Sequence, residues 1–322
     1  MDFKTAVIGL GTIGKVHIAV LKDLNAEIAA VCDCDIKKLE NFAQYKCYTD
    51  YVKMLDETQP NAVHICTPHY LHTEMIIAAL ERDIHVLCEK PLCIRKEDIP
   101  KIVAAQKKSQ AQLGVCLQNR YLPQNQFIKE YLQGKKILSA TGNLVWRRGE
   151  KYYRSATWRG KWATEGGGVL INQALHSLDL MQYFVGMPKS LAATVSNLTL
   201  QDVIEVEDTA TLICYGEENG FTFSATNGGF GGTSIALELH TEQDVLKTLP
   251  NGVMINGEIR SFQPLDKEYG KHCYGSGHGA LIRDFYDCIQ TGRKFAIDAE
   301  EGAKSVKIVL AAYESQGRRL EI

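Results

Sequence analysis

The chain has 322 residues, 45% of them hydrophobic and 23% charged, with a formal net charge of −2. That balance suits a globular protein and gives no electrostatic reason to expect nucleic acid or an anionic membrane as partner. No apolar run reaches the roughly 20 residues that span a bilayer, and the opening MDFKTAVIGLGTIG enters a strand pattern at once without the regions of a leader, so the expected setting is cytoplasmic.

TAVIGL (5–10) reads as a strand and 12–24 as a helix, with Ile13, Val16, Val20, Leu21 and Leu24 at helical spacing. EIAAVCD (27–33) is the next strand, a short helix starts at Tyr51 behind Asp50, and AVHICTP (62–68) is a strand again. A helix over 72–82, a strand over 84–89, a helix over about 96–109 and a strand over 112–119 complete this part. The alternation predicts a doubly wound parallel sheet, an N-terminal α/β domain of the Rossmann type over residues 1–120. After Tyr121 the rhythm changes. A helix at 124–133 leads into strand-like runs at 137–146, 190–200, 208–216, 220–227 and 234–240, with helical patterns at 168–185, 279–291 and 300–315. Residues 121–322 are therefore expected to form an α+β domain on an open, mostly antiparallel sheet of four to six strands, serving substrate binding and oligomerisation. The ten cysteines lie mostly inside apolar runs, with no CxxC pair and no zinc-type spacing, so they are expected to be packing residues with no metal.

Gly9-Leu10-Gly11-Thr12-Ile13-Gly14 is GxGxxG with a strand before it and a helix opening inside it. Gly9 permits the tight turn, Gly11 lets backbone approach a pyrophosphate, and Gly14 lets helix and strand pack closely. Asp33, at the end of the second strand, is placed to accept hydrogen bonds from a ribose diol. Its charge would repel a 2′-phosphate and no arginine follows it, so NAD is favoured over NADP, although Lys37 and Lys38 leave NADP open.

CEKPLC (88–93) places a carboxylate and an ammonium at the end of a buried strand. Side chains alternate along a strand, so Glu89 and Lys90 face opposite ways. Ligands of doubly wound sheets bind at the carboxyl ends of strands, where Lys90 sits. Oxidising an alcohol removes a hydride from carbon and a proton from oxygen, and a lysine of lowered proton affinity can take the proton. An ion pair at a strand end is the bland alternative.

Gly9–Gly14, Thr67-Pro68 with His72, Glu89-Lys90-Pro91 and the later GGGVLINQALHSLD, taken together in this order, resemble the Gfo/Idh/MocA oxidoreductases, the relatives of glucose–fructose oxidoreductase and inositol dehydrogenase. The likeness extends nearly to the C-terminus. It implies NAD(P) bound by the first domain with Thr67, Pro68, His72, Glu89, Lys90 and Asn119 among the cofactor contacts, Lys90 in the active site, and a cis peptide before Pro91. It also implies that Asn119 and Arg120 face nicotinamide and substrate.

In GGGVLINQALHSLDLMQYFVG (166–186), Asn172, His176 and Asp179 fall at i, i+4 and i+7, a polar stripe almost without charge. With the resemblance, His176 becomes a catalytic candidate beside Lys90, and Asn172 a substrate ligand. Inositol-dehydrogenase-like members carry aspartate where this chain has Asn172, which makes Lys90 the stronger base. The pairing Asn172-Gln173 resembles the subgroup that contains nucleotide-sugar 3-dehydrogenases. RRGEKYYRSATWRGK (147–161) mixes arginines with aromatic residues, a pattern suited to sugar faces and to carboxylate or phosphate. Tyr153, Trp158 and Arg159 are its candidate substrate contacts, while His278 is a helix-entry residue or a weaker one. The expected activity is NAD-dependent oxidation of a secondary hydroxyl on a sugar, cyclitol, sugar acid or nucleotide-sugar, by a homodimer or homotetramer. A hydrolase using bound NAD transiently, and a non-catalytic NAD sensor, are the alternatives.

Overall fold

The structure is a computed structural model and describes residues 3–230, 234–270 and 275–322. In chain order the first elements are β1 (Lys4–Ile8), α1 (Thr12–Asp23), β2 (Glu27–Cys32), α2 (Ile36–Leu39), β3 (Lys46–Tyr48), α3 (Tyr51–Thr58), β4 (Ala62–Ile65), α4 (His72–Leu80), β5 (His85–Cys88), α5 (Asp98–Lys108) and β6 (Leu113–Val115). Then come α6 (Pro123–Tyr131), β7 (Ile137–Val145), α7 (Glu150–Tyr153), α8 (Leu175–Val185), β8 (Ser190–Ser196), β9 (Thr209–Tyr215), β10 (Gly220–Thr226) and β11 (Ser234–Thr241). The last are β12 (Val245–Leu249), β13 (Gly252–Ile255), β14 (Glu258–Ser261), α9 (Gly277–Thr291), α10 (Ala299–Ser315) and β15 (Leu320–Glu321). None of the helices is long and apolar enough to cross a membrane among the described residues.

The chain forms two compact units. One holds residues 1–93, 97–121 and 265–303, and the other holds 94–96, 122–264 and 304–322. Apart from residues 94–96, the chain leaves the first unit after Tyr121 and returns to it at Leu265, whereas the sequence reading gave everything after 120 to the second. The reason lies in α9. It buries Leu281, Ile282, Phe285, Tyr286 and Cys288 along one face, and periodicity alone does not say which sheet such a face covers. Phe285 and Phe295 meet edge to face at 5.2 Å, over Gly114 of β6, where a Cβ would come within 2.9 Å of either ring.

In the first unit six strands run parallel in the order β3-β2-β1-β4-β5-β6. The inner strands are apolar without alternation because helices cover both faces; all four residues of β4 are buried. Gly9 has φ +92°, and its N–H donates to the Cys32 carbonyl at 2.8 Å, turning the chain from β1 into α1. A Cβ on Gly14 would lie 1.9 Å from the Gly9 carbonyl oxygen. Gly14→Ala is therefore expected to push α1 off the turn and destabilise the protein by about 1–3 kcal/mol, read from the midpoint of denaturant unfolding.

The second unit is built on one nine-stranded sheet, β14-β13-β12-β11-β7-β10-β9-β8-β15, antiparallel except for the β7–β10 pair. The expected four to six strands are its centre. The strands missed are short, and β14 is exposed at all four residues, so neither length nor alternation marks them. One sheet face is apolar: Ala140, Leu144, Leu212, Phe223 and Leu237 pack with Leu178 and Met181 of α8 and Ile308 of α10 in a single core. The expected helix over 168–185 is two pieces. A π-helical turn, Val169–Gln173, precedes α8, so Asn172 does not continue the α-helical register of His176.

Candidate active site

The dinucleotide residues of the first unit sit where the turn between β1 and α1 puts them. The space beside Gly11 is open, with no atom within 4 Å of where a Cβ would stand, which leaves the α1 N-terminus accessible to a phosphate. Thr12 is exposed and Ile13 half-buried next to it. Asp33 is buried just past β2, and its carboxylate accepts the N–H groups of Leu10 at 2.8 Å and Asp35 at 3.0 Å. Lys38 Nζ donates to both of its oxygens at 3.2 Å. A fixed carboxylate at this strand end, with an open glycine cradle, fits the ribose and pyrophosphate of a dinucleotide.

Lys90 lies just past β5, after Glu89, and is half-buried. The Lys90–Pro91 peptide is cis, as the resemblance implied. His72 brackets the segment: Nδ1 is 2.7 Å from the Pro91 carbonyl oxygen, and Nε2 is 3.0 Å from that of Thr67. With the ring wholly buried, His72 ties the end of β4 to the end of β5 and acts through backbone. Thr67 and Pro68 are half-buried, the Thr67 hydroxyl donating to the Met75 sulfur at 3.5 Å. Asn119 is half-buried past β6.

Glu89, just past β5, is buried and enters the interior. His17 Nε2 lies 3.0 Å from its Oε1, and its Oε2 accepts the Lys90 backbone N–H at 3.2 Å. Burial pushes this carboxyl up, but the bond from His17 and the His278 ring 3.7 Å away more than offset that and hold it well below the usual range. Its placement serves the strand end beneath Lys90, whereas the sequence reading put it among direct cofactor contacts.

Two expected substrate contacts lie in the interior. Arg120 is 6% exposed, and its Nη1 donates to Glu301 Oε1 at 2.8 Å within the first unit. Tyr153 is 3% exposed and its hydroxyl accepts from Asn227 Nδ2 at 2.8 Å. Both changes have one cause, the turn of a short helical segment that spacing does not reveal. In the second unit the neighbour Tyr152 takes the place expected of Tyr153. Its hydroxyl accepts from Asn172 Nδ2 at 3.1 Å and from Gln173 Nε2 at 3.3 Å. Arg159 stacks on it with its guanidinium carbon 4.0 Å from the ring centre, and lies 5.2 Å from the Trp158 ring. Arg159 Nε and Nη1 and Arg148 Nε are buried without hydrogen-bond partners among the described residues. Buried donors of that kind call for an acceptor.

Asn172 is half-buried and also donates to Oε1 of the fully buried Glu165 at 2.5 Å. His176 is half-buried in the first turn of α8. Asp179, by contrast, is buried and accepts from Gln182 at 3.0 Å. The loop ahead of Asn172 is held by Glu207, whose carboxylate accepts the N–H groups of Gly168 at 2.8 Å and Leu170 at 2.9 Å, and the Tyr313 hydroxyl at 2.9 Å. Glu165, Glu207 and Tyr152 were not singled out in sequence; Glu165 is a lone carboxylate in an ordinary stretch, and Glu207 is one of three acids in Glu205-Val206-Glu207-Asp208.

Residues 3–117 match the model of the oxidoreductase family with an NAD-binding Rossmann fold, GFO_IDH_MocA, and residues 134–246 match that family's C-terminal domain. The chain belongs to the Gfo/Idh/MocA family. Among the relatives of this Gfo/Idh/MocA protein, D-glucoside 3-dehydrogenase of Escherichia coli (strain K12) is 24% identical across 99% of the chain and 97% of that protein. Inositol 2-dehydrogenase of Arthrobacter sp. (strain FB24) is 31% identical across 57% of the chain and 54% of that protein. The WlbA dehydrogenase of Bordetella pertussis, solved in complex with NADH and UDP-GlcNAcA, superposes with a TM-score of 0.88 at 25% identity, covering 100% of this chain and 99% of that one. This Gfo/Idh/MocA protein is an NAD-dependent oxidoreductase, in agreement with the glycine cradle and Asp33. Asp33→Ala is expected to weaken NAD binding about tenfold to a hundredfold, measured by fluorescence titration, because it removes the ribose acceptor and the support of the Leu10 N–H.

Proposed function

We propose that this protein oxidises a secondary hydroxyl of an anionic sugar or cyclitol derivative, a sugar acid or nucleotide-sugar being the best fit. Gly9, Gly11, Gly14 and Asp33 would hold NAD, which would supply the hydride acceptor for the carbinol carbon. The observation that carries the proposal is Lys90, held at the carboxyl end of β5 in the NAD-binding unit by Glu89 and His72. Its amine takes the hydroxyl proton as the carbonyl forms. Asn172 holds a substrate hydroxyl, and His176 orients the substrate and shares the proton transfer. Arg159, stacked on Tyr152 beside Trp158, supplies a planar fork for a carboxylate or phosphate, and the unpartnered donors of Arg148 and Arg159 support the anionic class.

Outward positions of the central strands β7, β9 and β10, namely Thr141, Asn143, Thr211, Ile213 and Thr222, are exposed and uncharged, while β11 and β12 beside them carry the Glu238–Lys247 ion pair. A solvated sheet face ordinarily carries lysine and glutamate, so this central patch supports a homodimer or homotetramer, with a mass from light scattering at a multiple of the chain. Incubating the enzyme with NAD and a panel of neutral sugars, polyols, sugar acids and nucleotide-sugars tests the activity. NADH formation that favours the acids supports it. Release of an aglycone without NADH would indicate the redox-assisted hydrolase, and NAD binding with no turnover on any compound the sensor.

A further inference from the structure

At the end of β5, four side chains of metal-binding type converge. His17 comes from α1, Glu89 from the end of β5, Cys116 from just past β6, and His278 from the first turn of α9. Each offers one ligand atom, and all four atoms lie within 4.8 Å of one another. His17 Nε2 is 3.0 Å from Glu89 Oε1, His278 Nε2 is 3.7 Å from the same oxygen, and Cys116 Sγ is 4.0 Å from His17 Nε2. In a tetrahedral zinc site, ligand atoms at about 2.0–2.3 Å from the metal stand roughly 3.3–3.7 Å apart. The separations here bracket that spacing.

We propose that His17, Glu89, Cys116 and His278 form a structural site for zinc or a similar divalent cation. Three observations favour a cation over an ordinary polar cluster. The donor set is two imidazoles, a thiol and a carboxylate, the mixture that suits a tetrahedral ion of borderline softness. The exposures are 0%, 6%, 0% and 1% for His17, Glu89, Cys116 and His278. Burial and the Glu89 carboxylate push the Cys116 thiol well up, and a divalent cation would stabilise its thiolate and cancel the charge of the buried carboxylate. The outer partners are also in place. His17 Nδ1 is 2.7 Å from His64 Nδ1, His64 Nε2 is 3.0 Å from the Tyr286 hydroxyl, and that hydroxyl is 2.8 Å from Thr5 Oγ1. Ligating histidines ordinarily pass their second N–H to such a partner.

Four protein ligands leave no position for water, so the ion is structural. It pins Glu89, whose other oxygen holds the Lys90 N–H, and it fastens α9 to the strand ends of the first unit. Sequence spacing hides it because the four ligands lie on separate elements.

The test is elemental analysis of the full chain after dialysis in metal-free buffer without chelator, followed by cobalt(II) loading of chelator-stripped protein. Expected are close to one zinc per chain and a thiolate-to-cobalt charge-transfer band. Cys116→Ser should lose the band, and both Cys116→Ser and His278→Gln should lose most of the metal while still binding NAD. Wild-type protein with neither metal nor a thiolate–cobalt band would overturn the site and leave a His17–Glu89 ion pair in its place. Metal retained undiminished in both variants would overturn it equally. The wild-type readings decide alone if either variant does not fold.

Discussion

Lys90→Ala is expected to lower kcat by about 10²- to 10⁴-fold, the usual contribution of a positioned acid–base group. NAD affinity should stay within about threefold, because the cradle that holds the dinucleotide is built on Gly9, Gly11, Gly14 and Asp33. Lys90→Arg should be as impaired as the alanine variant, since a guanidinium does not give up its proton near neutral pH. Steady-state rates with the preferred substrate, together with a binding titration for NAD, check all three. A Lys90→Ala enzyme that turns over at the wild-type rate would remove the amine from the chemistry. A parallel collapse of NAD binding would assign Lys90 to the cofactor cradle.

Glu207→Ala is expected to destabilise the second unit by about 3–5 kcal/mol, because it strands two buried backbone N–H groups and removes the acceptor of Tyr313. The loop it releases carries Asn172, so KM should rise along with the loss of stability. The same carboxyl gives a pH signature. Burial raises it to about 7 against the pull of the Leu170 and Gly168 N–H groups. A carboxyl whose folded pKa exceeds its unfolded value of about 4.3 takes up a proton on folding. Its contribution is therefore complete below that value and fades as pH rises through about 7. Unfolding free energy should decline between about pH 5 and pH 8 by up to the order of 3 kcal/mol, and Glu207→Gln should flatten that decline. A slope unchanged in Glu207→Gln would place the titration elsewhere.

The cofactor half of the site was legible in sequence because its chemistry demands fixed spacing. Gly9 makes the turn, the space beside Gly11 is open, Gly14 packs against Gly9, and Asp33 is fixed by the Leu10 N–H at the next strand end. Lys90 was legible as a charge where a buried strand should end. The rest depended on which faces meet. Tyr152 and Tyr153 are chain neighbours with the same side chain, yet the packing of α7 buries one ring and leaves the other on Asn172 and Arg159. Arg120 read as a substrate contact, and its bond to Glu301, 181 positions away in the chain, was hidden from spacing. His17 read as one more residue on α1, and its bond to Glu89 spans 72 positions. The return of α9 to the first unit was equally hidden, since an amphipathic helix declares its apolar face and not its destination.

The most direct measurement is mass spectrometry of the dinucleotide formed from a substrate deuterated at the reacting carbinol carbon. The expected result is NADH carrying the deuterium, with the carbonyl product accumulating in equal amount. Substrate consumed without any accumulation of labelled NADH would contradict net hydride transfer to NAD.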